Sequence, residues 1–295
     1  MLLNLPHNFP AIDLLRRENI FVEDKLRPIS HKQPLKVLVL NLMPIKITTE
    51  ADILRLISTS PLEIDVEFMA METHTPKNTP IEHIRKFYTT FSHVKNNRYD
   101  GFIVTGAPVE MLPFEEVTYW EELKQILDWS RTNVTSTFYI CWGAQAALFH
   151  FHGVQKYALD KKVFGVFKHT ANEKSHPLFR GFDDEFYAPH SRHTTVYANE
   201  ILQHPDLAIL SESEEAGVYI VASRTHREFY VTGHSEYAPR TLHDEYVRDK
   251  QKGMQNVGVP INYYRDNDPN NEPLVLWRSH ANLLFTNWLH YFVYQ

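Results

Sequence analysis

The sequence predicts an α/β protein built on a doubly wound, mostly parallel sheet, and two observations favour this fold class. Short apolar runs alternate with segments of helical periodicity through the first half of the chain, as in parallel strands joined by helices. The second half is rich in short strand-like runs, which predict a second sheet layer or an antiparallel extension. With 295 residues, 43% of them apolar and 13% aromatic, the chain can fill one large domain or two small ones.

The first strand is predicted over residues 35–43, because LKVLVLNLM is short, β-branched and almost wholly apolar. Thr48 or Thr49 is predicted to cap the next helix, which should end before Ser60. Over residues 62–68 apolar and acidic side chains alternate, which is typical of an edge-type strand. The elements predicted to follow are a helix over 81–94, a strand over 101–105, a helix over 119–130, a strand over 135–140 and a helix from Trp142.

The second half is predicted to close with two helices, over 242–252 and 279–294, separated by an exposed loop over 260–273 that is rich in Pro, Asn and Asp. We interpret residues 1–34 as an N-terminal extension packed on the core, and residues 35–295 as a single catalytic domain. The strand-like runs of this half are residues 163–167, 207–210, 218–223 and 228–234.

Charge and composition exclude several classes of protein. A net charge of −6 and a pI near 6.3 leave no excess of basic residues to neutralise phosphates, so a nucleic-acid partner is not predicted. No run of about eighteen uncharged apolar residues is present, and the N-terminus lacks a basic segment before its leucines, so neither a membrane span nor a secretory signal is predicted. A single cysteine cannot form an internal disulfide, which favours the cytoplasm.

The strongest local pattern is TFYICWGAQAALF, residues 137–149. An apolar strand ends at Cys141 and small residues then open a helix, which is the layout of a nucleophile elbow. The helix N-terminus would favour a thiolate, and the backbone N–H of Trp142 would donate to an oxyanion. The alternative is that Cys141 is a small buried hydrophobe, as most free cysteines are.

A second pattern, VTGHSEYAP, covers residues 231–239. His234 and Glu236 stand two residues apart at the predicted end of a strand, where extended backbone directs both side chains to one side. A carboxylate beside an imidazole fixes the ring's tautomer and stabilises the imidazolium, which is the third-member role in a triad. A lone histidine is usually structural, so only this context distinguishes His234 among 17 histidines.

The other histidines suggest a metal site only weakly, and we predict none. His150 and His152, or His190 and His193, are the ligand-like pairs. On a helix, an i, i+2 pair points about 200° apart, unlike the i, i+4 pair of a helical zinc site. The loop TGAPVE, residues 105–110, follows a predicted strand and should border the active crevice. Its backbone amides could complete the oxyanion hole, or the loop could be a tight turn with no ligand.

Taken together, the motifs NLMPIKITTEADILRLI, DGFIVTGAPVE, FYICWGAQAALFHFHGV and VTGHSEY resemble the homoserine O-acyltransferases of methionine biosynthesis, across nearly the whole chain. The resemblance implies the class I glutamine amidotransferase fold, with a flavodoxin-like three-layer domain. It also implies that Cys141 becomes acylated, that His234 is the proton acceptor and that Glu236 is its partner. Glutaminase relatives typically read G-x-C-x-G and His-Pro-Glu, and this chain departs from both patterns, which favours the acyltransferases.

The resemblance further implies substrate contacts at Lys162, Ser191 and Arg248. The two cations suit the carboxylate of homoserine, which a guanidinium can bind through two hydrogen bonds. Lys46, in the turn after the first strand, is a further oxyanion candidate. Glu110 is the family position that is tied to the acyl donor, and a carboxylate there should repel a succinyl group while it tolerates an acetyl group.

The resulting hypothesis is ping-pong transfer of acetyl from acetyl-CoA to the hydroxyl of L-homoserine, with no bound cofactor and with a homodimer implied by the resemblance alone. Alternatives within the family are succinyl-CoA as donor and L-serine as acceptor, which is one methylene shorter than homoserine. Alternatives of other classes are a glutaminase or peptidase of the same fold and a non-enzymatic sensor with a reversibly oxidised Cys141.

Overall fold

The computed structural model describes residues 3–5, 22–24, 33–76, 78–254 and 257–294. The prediction of an extension over residues 1–34 therefore lies mostly outside the described residues and stays a prediction. Two short parallel strands, β1 (Leu3–Leu5) and β2 (Val22–Asp24), pair with each other there. A ten-stranded sheet organises the described part of the chain from residue 33 onward. Its strands, in spatial order, are β5 (Tyr88–Thr89), β4 (Ile64–Met69), β3 (Leu35–Leu40), β6 (Tyr99–Val104), β7 (Val134–Ile140), β12 (Glu228–Val231), β11 (Gly217–Ser223), β10 (Leu207–Ser213), β8 (Tyr157–Ala171) and β9 (Glu185–Thr195).

The parallel half of the sheet confirms the doubly wound prediction, since β3, β4, β5, β6, β7 and β12 all pair in parallel. Its first strand is buried on both faces, as an apolar run without alternation predicts. The strands are β3 (Leu35–Leu40), β4 (Ile64–Met69), β5 (Tyr88–Thr89), β6 (Tyr99–Val104), β7 (Val134–Ile140) and β12 (Glu228–Val231).

The antiparallel half extends the same sheet and does not form a second layer, which decides between the two predicted arrangements. Strand β11 pairs antiparallel with β12, and β10, β8 and β9 continue outward, each antiparallel to its neighbour. The strands of this half are β8 (Tyr157–Ala171), β9 (Glu185–Thr195), β10 (Leu207–Ser213) and β11 (Gly217–Ser223).

Helices cover both faces of the sheet and complete three layers. One face is covered by α1 (Lys46–Ile57), α7 (Thr241–Gln251) and α8 (Arg278–Trp288), whose apolar side chains share one core cluster. The other face is covered by α4 (Trp120–Asn133) and α5 (Trp142–His152). Shorter helical segments are α2 (Ile81–Phe87), α3 (Phe91–Val94) and α6 (Ala198–Ile201), with 3₁₀ turns at Phe114–Glu116, Pro177–Phe179 and Arg265–Asn267.

Two local predictions were wrong. The helix predicted over 81–94 is interrupted by β5, because Tyr88 pairs with β4 and its hydroxyl donates to Glu50 Oε1 over 2.6 Å. Helix α1 begins at Lys46 without a side-chain cap, ahead of the predicted Thr48 or Thr49. The helix predicted over 279–294 is present, and its last turn, Leu289–Val293, is π-helical.

The loop over 260–273 is only partly exposed. Its Tyr263 and Tyr264 are buried in the core, and Ile261 bridges to Gly165 of β8. Among the described residues, no helix is long and apolar enough to cross a membrane.

Candidate active site

The carboxyl end of β7 places Cys141 at a sharp turn. The residue has φ 50° and ψ −114°, a left-handed conformation that costs free energy in a non-glycine residue and persists where the surroundings enforce it. Its backbone N–H donates to Val231 O of β12 over 2.7 Å, and α5 begins at the next residue. The nucleophile elbow predicted from the sequence is therefore present.

Two glycines allow the backbone to close around this turn. A Cβ on Gly143 would lie 2.7 Å from Thr105 O, so only glycine lets the first turn of α5 approach the end of β6. A Cβ on Gly106 would lie 3.3 Å from Cys141 Cβ and 3.6 Å from His234 Cε1. The loop after β6 thus lies directly against the cysteine and the histidine, as its position at a strand end predicts.

His234 and Glu236 contact each other as expected, although their backbone setting was predicted wrongly. Strand β12 ends at Val231, so both residues lie in the loop beyond it. His234 N donates to Pro189 O over 2.8 Å, the Tyr237 ring stacks on the imidazole at 4.1 Å, and His234 Nδ1 lies 2.6 Å from Glu236 Oε1. These contacts hold the ring in place, so the chain does not need an extended strand to orient it.

The electrostatics favour a charged pair between Cys141 and His234, because the negative charge of the sulfur acts on the nearby imidazole. Burial lowers the pKa of the imidazole, but the negative charges of Cys141 and Glu236, with their hydrogen bonds to the ring, outweigh burial and raise the pKa of His234 well above its ordinary value. A ring that keeps its proton at neutral pH favours the thiolate, which is the nucleophilic form of cysteine.

A cleft of about 740 Å³ opens over the cysteine. It collects side chains from both halves of the sheet and from α7. Six of the residues that the sequence singled out line it: Glu110, Cys141, Lys162, Ser191, His234 and Arg248. The arrangement presents an activated sulfur to a pocket of size suited to a small ligand.

The polar end of the cleft contains a network that connects three of those residues. Asp249 lies between two cations, with Lys162 Nζ 3.2 Å from Oδ2 and Arg248 Nε 2.7 Å from Oδ1. Burial raises the pKa of Asp249, but Arg248 and Lys162 outweigh burial and lower the pKa. Glu245 accepts a hydrogen bond from Ser191 Oγ and lies 3.6 Å from Lys162 Nζ. Cations and carboxylates thus lie side by side at this end.

Sequence reasoning missed Glu245 and Asp249, although a signal for them exists. Residues 245, 248 and 249 are three and four positions apart on α7, so their side chains share one face of the helix. Once Arg248 is a candidate, both neighbouring carboxylates become candidates too. Tyr237, which donates to Glu245 Oε1 over 2.8 Å, was also missed.

Comparisons with known proteins show the family to which the chain belongs. The family model described as homoserine O-succinyltransferase matches residues 2–295. A homoserine O-acetyltransferase of Parabacteroides distasonis is 60% identical over the whole chain and 95% of that protein, and one of Clostridium acetobutylicum is 56% identical over the whole chain and 98% of that protein. The chain belongs to the homoserine O-succinyltransferase family.

Solved structures extend the likeness to a wider fold. A glutamine amidotransferase of Thermotoga maritima has a TM-score of 0.59 at 13% identity and covers 90% of this chain and all of that one. A GMP synthase subunit of Thermoplasma acidophilum has a TM-score of 0.51 at 17% identity, with 75% of this chain and all of that one covered. At these identities the likeness shows the fold alone, and the amidotransferase-like fold predicted from the motifs is confirmed.

Within this family member, Glu110 is held by the backbone of β9. Its Oε2 accepts from His193 N over 2.8 Å, and Thr194 Oγ1 lies 3.4 Å from the same oxygen. The backbone carbonyl of Glu110 accepts from Lys156 Nζ. The carboxylate is therefore fixed at the wall of the cleft that contains Cys141.

The two oxyanion candidates are placed differently. Trp142 provides the first amide of α5, directly after Cys141. Because first-turn amides have no partner within a helix, this N–H can donate to an oxyanion at Cys141. Lys46 Nζ donates to the carbonyls of Asn41 and, over 3.5 Å, Met43, and its role at the oxyanion stays a prediction. Burial lowers the pKa of Lys46 to about 8, against the raising effect of Glu50.

The histidine pairs that suggested a metal point to separate partners. His150 Nε2 lies 2.7 Å from Asp128 Oδ1, and His152 Nδ1 lies 3.4 Å from Asp206 Oδ2. His190 is fully buried, whereas His193 lines the cleft. Among residues 33–76, 78–254 and 257–294, no group of three or more His, Cys, Asp or Glu could hold a metal ion.

Proposed function

We propose that the chain is a homoserine O-acetyltransferase, which transfers acetyl from acetyl-CoA to the hydroxyl of L-homoserine at the start of methionine biosynthesis from homoserine. The observation that supports this most directly is that Cys141, His234 and Glu236 lie together, with a hydrogen bond between His234 and Glu236, at a cleft whose far end contains cations and carboxylates. Relatives named for this activity are 55–60% identical to the chain.

In the first half-reaction, the Cys141 thiolate attacks the acetyl carbonyl carbon of acetyl-CoA. The Trp142 amide and amides of the loop after β6 stabilise the oxyanion. The carbon–sulfur bond to CoA then breaks, and the departing CoA sulfur takes the proton from the His234 imidazolium. The products are acetyl-Cys141, neutral His234 and free CoA.

In the second half-reaction, neutral His234 accepts the proton of the homoserine hydroxyl as its oxygen attacks the acetyl-cysteine carbonyl. The Cys141 sulfur leaves as a thiolate, and the imidazolium beside it is restored. Glu236 stabilises that imidazolium through its 2.6 Å contact with Nδ1. The second half-reaction therefore restores to His234 the proton that the first half-reaction gave to CoA.

The charged end of the cleft suits a zwitterionic amino acid. Lys162 and Arg248 would bind the homoserine carboxylate, and Glu245 would bind its ammonium group. Asp249 already balances both cations, so it would keep them oriented before the substrate arrives. Ser191 orients Glu245 through its hydroxyl.

The choice of acyl donor depends on Glu110. A succinyl group would bring a free carboxylate into the cleft that Glu110 lines, and two like charges in a desolvated pocket repel strongly. An acetyl group carries no charge. Although the family description names succinyl transfer, Glu110 therefore favours acetyl in this chain.

The mouth of the cleft would accept the pantetheine arm of the donor. Its wall exposes apolar side chains, which include Ile45 (55% exposed) and Met111 (63% exposed). No cofactor besides this co-substrate is required by the two half-reactions. We infer that the enzyme acts in the cytoplasm, because a single cysteine that must stay a free thiolate suits a reducing compartment. A homodimer stays a prediction.

The test is a matrix of acetyl-CoA and succinyl-CoA against L-homoserine and L-serine, with wild type, Glu110→Gly and Glu110→Gln. We expect turnover with acetyl-CoA and homoserine, parallel initial-rate lines, and an acetyl-sized mass increase on Cys141 with acetyl-CoA alone. Both Glu110 variants should raise the succinyl-to-acetyl ratio at least about tenfold if charge decides, and only Glu110→Gly should do so if space decides. No adduct and no turnover with either CoA ester, or hydrolysis of glutamine instead, would refute the proposal.

A further inference from the structure

Arg192 is a buried cation directly behind the cleft. Along β9, Ser191 and His193 line the cleft, while Arg192 between them points into the core and is only 1% exposed. Its guanidinium donates to Thr194 O over 2.9 Å and to Ala216 O. No carboxylate of the described residues forms an ion pair with it, although an unpaired buried charge is costly.

Two stacked histidines support the guanidinium. Arg192 Nε donates to His190 Nδ1 over 3.5 Å, His190 Nε2 lies 3.0 Å from His169 Nε2, and His169 Nδ1 lies 2.8 Å from Phe167 O. A carbonyl only accepts, so His169 carries its proton on Nδ1 and accepts at Nε2, which leaves the proton of His190 on Nε2. Every bond is satisfied only when both rings are neutral.

The two rings do stay neutral at physiological pH. Burial lowers the pKa of His169 to about 3 and that of His190 well below its ordinary value, and the nearby Arg192 charge adds to both effects. The chain of rings therefore contributes no charge of its own. It directs the Nδ1 lone pair of His190 toward Arg192, and its other end donates to the Phe167 carbonyl.

The same stretch of β9 holds the catalytic residues. Pro189 O accepts from His234 N, and a Cβ on Gly233 would lie 2.9 Å from His190 Nε2. Thr194 Oγ1 donates to Gln145 Oε1 over 2.9 Å, and Gln145 N donates to the backbone carbonyl of Cys141 over 3.1 Å. Arg192 thus lies between the segment that carries His234 and the helix that follows Cys141.

Two negative groups of the site act on Arg192. Burial lowers the pKa of Arg192 to about 10, while the negative charges of Cys141 and Glu110 oppose that effect. The guanidinium stays protonated at neutral pH. Cys141 and Glu110 therefore act on its charge from a distance, and no ion pair among the described residues neutralises it.

We propose that Arg192 is a positioning residue, a fixed buried cation that stabilises the Cys141 thiolate and is held in place by His190 and His169. This inference rests on the proposed function, since it assumes that Cys141 reacts as a thiolate. In the first half-reaction the cation raises the fraction of thiolate. In the second half-reaction the cation makes the Cys141 sulfur a better leaving group, because it stabilises the negative charge that the sulfur regains.

The experiment measures the pH dependence of Cys141 alkylation by iodoacetamide. The chain contains one cysteine, so the adduct reports on Cys141 alone and needs no turnover. In Arg192→Met the midpoint should rise by about 1–2 pH units, the shift expected when a nearby opposite charge is lost. Arg192→Lys, which keeps the charge without the planar fork, should shift it less. An unchanged midpoint in folded Arg192→Met overturns the inference.

Two further variants keep the result decisive. His190→Phe keeps the ring volume but removes the acceptor for Arg192 Nε. It should raise the alkylation midpoint by less than Arg192→Met does. If Arg192→Met does not fold, an unchanged midpoint in His190→Phe overturns the inference. The control Arg131→Met with Glu228→Gln removes a partly buried guanidinium together with its buried carboxylate partner, and it should leave the midpoint unchanged. An equal rise in this control would also overturn the inference.

The failure of the proposed function would look different. If wild type itself titrates like an ordinary thiol, near pH 8.5, then Cys141 is not an activated nucleophile and the triad fails. If the wild-type midpoint is low and Arg192→Met shares it, the triad stands and only the role of Arg192 fails.

Discussion

Strand β12 carries a buried charged cluster at each end, and the two clusters differ in how completely their charges are paired. At its start, Glu228 accepts from Arg131 Nε over 2.7 Å and Nη2 over 2.9 Å, and the Tyr230 hydroxyl donates to it over 2.7 Å. The Arg131 guanidinium also stacks on Phe151 at 3.5 Å. Beyond its other end, one imidazole, that of His234, serves two negative groups, Glu236 and Cys141.

The comparison shows what a site needs beyond burial. At the Glu228 end, acid and base satisfy each other through two parallel hydrogen bonds, so no charge is left to act on a ligand. At the His234 end, one imidazolium faces two negative groups, Glu236 and Cys141, and the sulfur lines an open cleft. Incomplete local compensation is what makes a buried cluster reactive.

The largest expected effect is at the His234 end. Cys141→Ala should lower kcat at least about 1,000-fold, because no other group can carry the acetyl. Steady-state kinetics with acetyl-CoA and homoserine measure the loss, and the acetyl mass increase should vanish. The far-end variant Glu228→Gln is the matched control, and activity above a tenth of wild type in Cys141→Ala would contradict the comparison.

Loss of the Arg131–Glu228 ion pair should lower the stability of the fold and leave catalysis nearly unchanged. Glu228→Gln leaves the Arg131 guanidinium without its anion, and removal of one partner of a buried pair typically costs about 3–5 kcal/mol. The free energy of unfolding from urea titration measures this loss. Among molecules that remain folded, kcat should stay within about twofold of wild type; a large fall in kcat at full folding would show that the two ends are coupled.

The acceptor end of the cleft should respond with a smaller, separable effect. Arg248→Met should raise KM for homoserine about 10- to 100-fold, since the carboxylate loses a charged hydrogen bond. Acetylation of Cys141 by acetyl-CoA alone should proceed at the wild-type rate. Slower acetylation, measured by quenched-flow mass spectrometry, would place Arg248 in the donor half-reaction instead.

The smallest expected effect is on the pH profile. Because the pKa of His234 is raised, the imidazolium persists through neutral pH and is lost only as pH rises through that raised value. Acetylation, which requires the thiolate beside a protonated ring, should therefore vary less than about threefold between pH 7 and 8.5. A steep fall in the acetylation rate across that window would show that His234 titrates near its ordinary pKa.

The sequence predicted those features that depend on local pattern. Strand β3 was readable because residues buried on both faces of a sheet leave a continuous apolar run, and the elbow at Cys141 because small residues must follow a sharp turn. His234 and Glu236 were found by their spacing, although they lie beyond the strand, since two residues of loop also bring them together.

What escaped prediction depends on tertiary contacts. Nothing local marks Tyr88 as a strand residue, because its pairing with β4 and its bond to Glu50 are set by the folded chain. Arg192 reads as an ordinary surface arginine until β9 turns its side chain inward. Lys46 was expected near the oxyanion, and its bonds to the carbonyls of Asn41 and Met43 were not predicted.

The ten-stranded sheet also divides the chemistry between two structural units. The sulfur and its oxyanion donors come from the parallel strands and their loops, whereas Lys162 and Ser191 come from the antiparallel pair β8 and β9, whose register shifts between Ala158 and Val163. Under the proposed function, substitutions at Lys162 and Ser191 would change how the acceptor binds without altering the strands that carry Cys141 and precede His234. The sheet thus places the sulfur that takes up the acetyl group on one half and part of the acceptor site on the other.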